Sequence, residues 1–118
     1  MINVDDKEYD CPVDIFIDIF NDRFKLYIVW HLQDSPKRFK ELTKILSSTT
    51  QKTLTLKLKE LERRHIINRE VFPEVPLRVE YSLTPIGEKL KPILQNLYDW
   101  GDIYGKEFDP NYVEVCKN

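Results

Sequence analysis

The chain has 118 residues and a formal net charge of −2; 42% of its residues are hydrophobic and 32% are charged. These values fit a single globular domain and exclude a disordered tail or a fibrous protein. No segment is both apolar and long enough to span a bilayer, and the acidic N-terminus lacks the apolar core of a signal peptide, so we expect a cytoplasmic protein without membrane contact.

The N-terminal half predicts a polar arm followed by helices. Residues 1–10 are rich in acids and predict a flexible arm. Apolar residues then recur at helical spacing over residues 13–20 on two sides of the helix, which indicates burial against something beyond its own domain. The apolar segment 24–32 predicts a central core helix or a buried strand, and residues 39–46 predict a short amphipathic helix.

The next helix is predicted to begin at Thr50, whose side chain can cap its N-terminus. Each residue turns a helix by about 100°, so Leu54, Leu58 and Leu61 share one face, which we expect to face the core. The opposite face carries Lys52, Thr55, Leu56, Lys59 and Arg63 and no acid. A helix exposed only to solvent more often mixes both signs of charge, so this face is a candidate recognition surface.

The C-terminal half predicts a hairpin and a long helix. Residues 67–83 alternate in polarity, which predicts a β-hairpin with two prolines near its tip. Thr84 and Pro85 then form an N-cap and first-turn pair. They open a helix over residues 84–107, in which we expect a kink at Pro92.

Charge is distributed unevenly along the chain. Residues 37–69 contain ten basic and three acidic residues, so this window has a net charge of +7 and the rest of the chain has −9. A local basic stripe is the electrostatic footprint of phosphate binding, whatever the total charge. The alternative is a solvated helix face, which is the commoner meaning of a charge run.

The order of helix, helix, basic-faced helix and β-hairpin is that of a winged helix-turn-helix. In this fold the recognition helix enters the major groove of double-stranded DNA and the hairpin reaches the adjacent backbone. The candidate DNA-binding residues are Arg38, Ser48, Thr49, Thr50, Gln51, Lys52, Thr55, Leu56, Lys59, Arg63, Arg69 and Arg78. The cations can neutralise phosphates or reach guanine edges, and Thr55 and Leu56 can touch a thymine methyl.

Several stretches resemble one bacterial family. They are residues 11–13, 25–32, 38–42, 51–55, 58–62, 69–76, 79–84, Gly87 and residues 100–101, in order along the chain. On these motifs the chain resembles the HxlR-type winged helix-turn-helix transcriptional regulators, which are related to MarR. The resemblance implies a homodimer formed by the N-terminal and C-terminal helices, the latter at residues 84–107, that binds an inverted-repeat operator. It is also compatible with a small-molecule effector.

The sequence departs from the family pattern at several positions. Residues 21–23 stand where the family usually has glycines, and residues 48–50 stand where it often has Gly-Ile-Ser. His65 and Ile66 replace a common Gly-Leu pair, and Leu56 replaces a polar residue. These departures leave the predicted fold intact and bear on the turn geometry and the operator sequence.

Two cysteines, Cys11 and Cys116, argue against a disulfide scaffold and for a reducing compartment. In some family members the cysteine that matches Cys11 senses oxidants or electrophiles, so the resemblance makes Cys11 a candidate redox sensor. Nearby Asp10 and Asp14 disfavour a reactive thiolate by like-charge repulsion, which a helix N-terminus would oppose. Cys116 is interpreted as incidental.

No catalytic or metal-binding pattern is present in the sequence. It lacks Cys-x-x-Cys and His-x-x-x-His spacing and a Gly-rich phosphate loop, so we predict no metal, no cofactor and no enzymatic activity. Four aromatic residues could line a ligand pocket, although core packing is the default interpretation: Trp30, Tyr98, Trp100 and Phe108. A winged-helix protein-interaction module that does not bind DNA remains the alternative function, and Leu56 is the feature that favours it.

Overall fold

The structure is a computed structural model that describes residues 1–114 of the chain. In chain order its elements are β1 (Ile2–Val4), β2 (Lys7–Tyr9), α1 (Pro12–Ile19), α2 (Arg23–His31), β3 (Lys37–Arg38), α3 (Phe39–Ile45), α4 (Gln51–Arg63), β4 (Ile67–Phe72), β5 (Arg78–Leu83), α5 (Pro85–Glu88) and α6 (Lys91–Phe108). The predicted fold class, mainly α with a small β-hairpin wing, is confirmed.

The hydrophobic core lies where α2, α3 and α4 pack against the three-stranded sheet. Its fully buried side chains are Ile28, Val29, Leu42, Leu54, Leu58, Leu61 and Ile67. Burying one such side chain contributes roughly 1.5–3 kcal/mol relative to leaving it in water. Residues 24–32 thus contribute a core helix, and the alternative of a buried strand is wrong. Among the helices within residues 1–114, none has the length and apolar character needed to cross a membrane.

The wing is the antiparallel pair of β4 and β5, with Ile67 opposite Leu83 at its base. The other edge of β5 pairs with β3, where Lys37 lies opposite Tyr81. The hairpin was predicted from its alternating pattern, but β3 was not. A strand of two residues is too short to show an alternating pattern in the sequence. It forms because the edge of β5 offers it hydrogen bonds.

Side-chain caps begin the helices at the predicted residues. The Thr50 hydroxyl accepts the N–H of Thr53 at 3.1 Å, and the Thr84 hydroxyl accepts the N–H of Gly87 at 3.1 Å. Such a cap contributes about 1 kcal/mol, because it satisfies a backbone donor that the helix itself leaves unpaired. Both caps fix where the chain turns from one element to the next.

The single kinked helix predicted over residues 84–107 is replaced by two helices, α5 and α6. Pro92 lies in the first turn of α6, where the absence of an N–H costs nothing. In a continuous helix the ring of Pro92 would clash with the carbonyl of Glu88 and remove its hydrogen bond. The proline thus starts a new helix rather than bending an existing one.

The C-terminal end of α4 is closed by a residue in the left-handed region. The N–H of Ile66 donates to the carbonyl of Leu61 at 3.0 Å, and the N–H of His65 donates to that of Glu62 at 3.1 Å. This pattern normally uses glycine at the position of His65, which has φ 67° here. The histidine side chain in turn reaches the N-terminal hairpin, with Nε2 at 2.9 Å from Asp5 Oδ2.

Residues 1–10 are not the flexible arm that the sequence predicts, because β1 and β2 form an antiparallel hairpin. Asp5 and Asp6 both have positive φ, as a two-residue type I′ turn requires. Tyr9, at 8% exposure, anchors the hairpin to the rest of the domain. The prediction failed because the anchoring partners of Tyr9 lie far along the chain, where local composition gives no sign of them.

A hydrogen-bonded network joins the hairpin, α1 and the end of α4. The carboxylate of Asp18 accepts from Tyr9 Oη at 2.6 Å and from Arg64 Nη1 at 3.1 Å, and it pairs with Lys7 Nζ at 3.1 Å. Arg64 Nη2 also donates to Tyr9 Oη at 2.9 Å. The hydrogen bond from Tyr9, followed by those from Lys7 and Arg64, holds the pKa of Asp18 well below its usual range.

This shift predicts an acid-sensitive contribution to stability. Because the pKa of Asp18 is lower in the folded state, the network stabilises the fold above the unfolded value of about 3.9 and is lost as the pH falls through the folded value. We expect the difference in free energy of unfolding between wild type and Asp18→Asn to be constant above about pH 5 and to shrink towards about pH 3. Urea denaturation at each pH measures it.

The matched control is Asp14→Asn, which removes an exposed carboxylate from the same helix. Its stability should follow that of the wild type across the pH range. A profile for Asp18→Asn that runs parallel to the wild type at every pH would contradict the role of this network.

Candidate nucleic-acid interface

The outward face of α4 is basic, as the sequence predicts. Lys52, Lys59 and Arg63 are exposed, and none of them forms an ion pair with another residue of the described part of the chain. Leu56 lies between these cations and is 51% exposed, whereas Thr55 is half-buried. The three charges are therefore available to an outside anion.

Two other charges of α4, those of Lys57 and Glu60, are neutralised inside the molecule, whereas Glu62 is exposed on the opposite flank. Glu60 pairs with Lys25, a lysine that is only 6% exposed, and Lys57 Nζ lies 3.2 Å from Asp22 Oδ2. The hydrogen bond from Lys25 lowers the pKa of Glu60, so this acid stays charged and turned towards α2. As a result, the flank of α4 that carries Glu60 does not place a free negative charge beside the basic face.

The segment before α4 adds further exposed polar groups. Arg38 is exposed at the start of α3, where its backbone N–H donates to Glu41 Oε1 at 3.0 Å. In the turn that follows α3, the predicted residues Ser48, Thr50 and Gln51 are exposed and Thr49 is half-buried. These positions lie directly before or at the N-terminus of α4, where free backbone N–H groups favour phosphate.

Two exposed lysines of α3, Lys40 and Lys44, were not among the predicted site residues. Lys40 and Lys44 are exposed, and neither forms an ion pair within residues 1–114. Their spacing of four residues places them on one side of a helix. That spacing was the available signal in the sequence.

The hydroxyl groups of α4 are already engaged in local hydrogen bonds. The Thr55 hydroxyl donates to the carbonyl of Gln51 at 2.8 Å. The Thr50 hydroxyl donates to Thr53 Oγ1 at 3.0 Å while it accepts the N–H of the same residue. Each of these two donors is used locally, so donation of a hydrogen bond to an outside group is left to the charged side chains of this face.

Arg78, a predicted DNA contact, is paired with two acids of the wing. Its Nε lies 2.7 Å from Glu74 Oε2 and its Nη1 lies 3.0 Å from Glu80 Oε2. Its guanidinium also stacks 3.8 Å from the centroid of the Phe72 ring. The cross-strand register of the wing places Arg78 opposite Phe72, and the charges of the hairpin sequence alone do not indicate this pairing. The predicted contact Arg69, by contrast, is exposed on β4.

A second exposed surface is apolar and runs along α6. Its large side chains are Ile93, Leu97, Trp100, Ile103, Tyr104 and Phe108, and Val13 and Ile17 of α1 are also exposed. The ring centroids of Trp100 and Tyr104 lie 5.3 Å apart, and those of Tyr104 and Phe108 lie 4.8 Å apart. Exposed apolar surface of this extent marks an interaction site in soluble proteins.

The four aromatic residues considered as a pocket lining fall into two groups, one packed internally and one exposed. Trp30 stacks on Tyr98 with their ring centroids 5.5 Å apart, which joins α2 to α6. Trp100 is 65% exposed and Phe108 is 69% exposed, so core packing, the default interpretation, is wrong for these two. The aromatic residues of α6 thus divide into an internal contact and an outward-facing row.

Cys11 is a free, exposed cysteine at the N-cap of α1. Its backbone carbonyl accepts the N–H of Asp14 at 3.0 Å, so the thiol lies at the start of the helix, where the dipole favours negative charge. Cys116 lies outside the described residues.

Comparison with known proteins places the chain in a family. The sequence model of the HxlR-like helix-turn-helix family matches residues 19–109. The uncharacterized HTH-type transcriptional regulator YdeP of Bacillus subtilis (strain 168) is 45% identical over 99 residues, which cover 84% of this chain and 77% of YdeP.

Two solved structures extend the comparison to the fold. The redox regulator HypR in its reduced form superposes with a TM-score of 0.77 at 39% identity, covering 86% of this chain and 100% of that one. The reduced form of the transcriptional regulator YodB from B. subtilis gives 0.72 at 35% identity, covering 88% and 100%. The chain therefore belongs to the HxlR-like helix-turn-helix family and is a transcriptional regulator of the HxlR/MarR type.

Proposed function

We propose that this regulator is a homodimer that binds double-stranded DNA at an inverted-repeat operator, with α4 as its recognition helix. The observation that carries this proposal is the outer face of α4, which presents three unpaired cations and no acid. The family supports the same role, because a helix-turn-helix regulator acts by binding DNA rather than by catalysis.

The proposed complex uses α4 in the major groove. At 13 residues, α4 is about 20 Å long, so its cations can meet phosphates along the groove or reach guanine edges. Arg38, Lys40 and Lys44 of the preceding segment, and Arg69 of the wing, would contact the flanking backbone. The exposed turn residues Ser48, Thr50 and Gln51, together with Thr49, would allow the close approach of a phosphate to the N-terminus of α4.

The cations of α4 provide the first test. The double variant Lys52→Ala/Lys59→Ala should bind the promoter region upstream of its own gene about tenfold or more weakly, because two phosphate contacts are lost. The slope of log affinity against log salt should fall by about 2. Fluorescence anisotropy titrations at several salt concentrations measure both quantities.

Lys91→Ala/Lys106→Ala is the matched control, since it removes the same charge from α6. It should keep nearly full affinity. If the two double variants bind equally well, α4 is not the recognition helix. If the wild type binds no duplex at moderate salt, the protein-interaction module becomes the better explanation.

We infer that a second copy of the chain covers the apolar row on α6 together with α1. The row is too long to be a scatter of single exposed residues, and a monomer would leave it in water. A two-fold interface places the same patch of both chains in contact and places two recognition helices on the two halves of an inverted repeat.

Trp100 tests this interface. Trp100→Asp should convert the dimer to a monomer in sedimentation velocity and weaken operator binding, since a monomer engages only one half-site. The control Val75→Asp introduces the same charge at the fully exposed tip of the wing and should leave the dimer intact. A Trp100→Asp protein that sediments as the wild type does would contradict the proposed interface.

We propose that Cys11 makes operator binding responsive to oxidants or electrophiles. Its thiol is exposed at the start of α1, next to the proposed dimer surface. HypR is described as a redox regulator, and YodB is known in diamide-treated and quinone-bound forms. An oxidant such as diamide would take two electrons and two protons from two thiols as they form a disulfide, whereas a quinone would add to one thiolate.

The response to an oxidant should depend on Cys11 and not on Cys116. Diamide should release the wild type and Cys116→Ser from operator DNA in a gel shift, and dithiothreitol should restore binding. Cys11→Ser should stay bound. Non-reducing electrophoresis should show a diamide-induced disulfide in the wild type and none in this variant. Equal release of the wild type and Cys11→Ser would show that Cys11 is not the sensor.

A further inference from the structure

Leu56 is the apolar residue on the basic face of α4. On a helix that turns by about 100° per residue, it lies about 160° from the centre of the buried leucine face, at Leu54. Lys52 lies one turn before it and Lys59 one turn after it, and both are exposed and unpaired within residues 1–114. Leu56 is thus held outward at the middle of the proposed recognition surface, with 51% of its surface exposed.

The uncharged residues next to Leu56 have little capacity to donate a hydrogen bond to a base. The Thr55 hydroxyl donates its one hydrogen to the carbonyl of Gln51, so this side chain has no free donor and can offer an outside group only its methyl group and the acceptor side of its oxygen. Gln51 is turned about 100° away from the centre of the basic face, on the side towards the core leucines. The uncharged surface in the middle of this face therefore has no free hydrogen-bond donor and is largely hydrocarbon.

The major groove offers one hydrocarbon group that matches this surface. Each thymine presents its C5-methyl there, whereas the other base edges present hydrogen-bond donors and acceptors. On the proposed function above, we propose that Leu56, with the Thr55 methyl beside it, reads the C5-methyl of a thymine near the centre of each operator half-site. Leu56 is then a specificity-determining residue rather than a source of overall affinity.

A protein partner on Leu56 is the competing explanation, and the surrounding charges disfavour it. Any apolar partner surface that covered Leu56 would also desolvate Lys52 and Lys59, at a large cost unless acids met both. A DNA duplex supplies those acids as phosphates on either side of the groove, with the base edges between them. The pattern of one leucine between flanking cations therefore fits the groove.

The experiment removes the methyl groups from the DNA. Each thymine of the duplex from the protein's own promoter region is replaced in turn by deoxyuridine, which lacks only the C5-methyl. Wild type should lose about fourfold in affinity at the contacted thymine of each half-site, as expected for one buried methyl. Leu56→Ala should bind the thymine and deoxyuridine duplexes equally well at that same position.

A control variant tests whether the effect belongs to Leu56. Leu77→Ala truncates another exposed leucine, on the wing, and should keep the full sensitivity to deoxyuridine. Circular dichroism should show that both variants keep the fold, since both side chains are exposed.

The outcomes separate this inference from the proposed function. Wild type that binds the promoter duplex but tolerates deoxyuridine at every position refutes thymine reading and leaves the recognition helix in place. A Leu56→Ala protein that still loses affinity at the same thymine assigns the contact to another residue. Failure of the wild type to bind any duplex refutes the proposed function itself.

Discussion

Burial of the leucine face of α4 is the constraint on which the rest of the molecule depends. Leu54, Leu58 and Leu61 are at most 1% exposed, so the rotation of the helix about its axis is fixed. A rotation by one residue, about 100°, would bury a charged side chain and expose a leucine. The basic face points outward because the opposite, leucine face must be buried in the core. The ion pairs of Lys25 with Glu60 and of Lys57 with Asp22 hold the helix in the same orientation.

Features that depend on neighbours along the chain could be predicted from the sequence. The faces of α4 follow from helical periodicity, and the caps at Thr50 and Thr84 follow from side chains that bond to residues three positions on. The exposure of the basic face could be predicted because it lies opposite the leucines that the core buries. Alternating polarity predicts the hairpin of the wing, and the order of the elements predicts the winged helix-turn-helix that the structure has.

Features that depend on contacts between distant segments could not be predicted. The N-terminal hairpin is anchored because Tyr9 meets Arg64 across 55 residues of chain. The pairing of Arg78 with two acids and an aromatic ring likewise depends on how the wing folds. The exposure of Trp100 runs against the general preference of aromatic residues for the core, because that preference takes no account of surfaces such as the proposed dimer interface.

The network of Tyr9, Asp18 and Arg64 has a consequence for how related sequences can diverge. A half-buried arginine that loses its carboxylate would keep an uncompensated charge, and a carboxylate that loses both the tyrosine and the arginine would keep only its contact with the exposed Lys7. Substitution at one of the three positions is therefore costly, whereas their joint replacement by apolar residues is tolerable. Among relatives, positions 9, 18 and 64 should vary together, and their co-variation would distinguish chains that carry this N-terminal hairpin from chains that begin at α1.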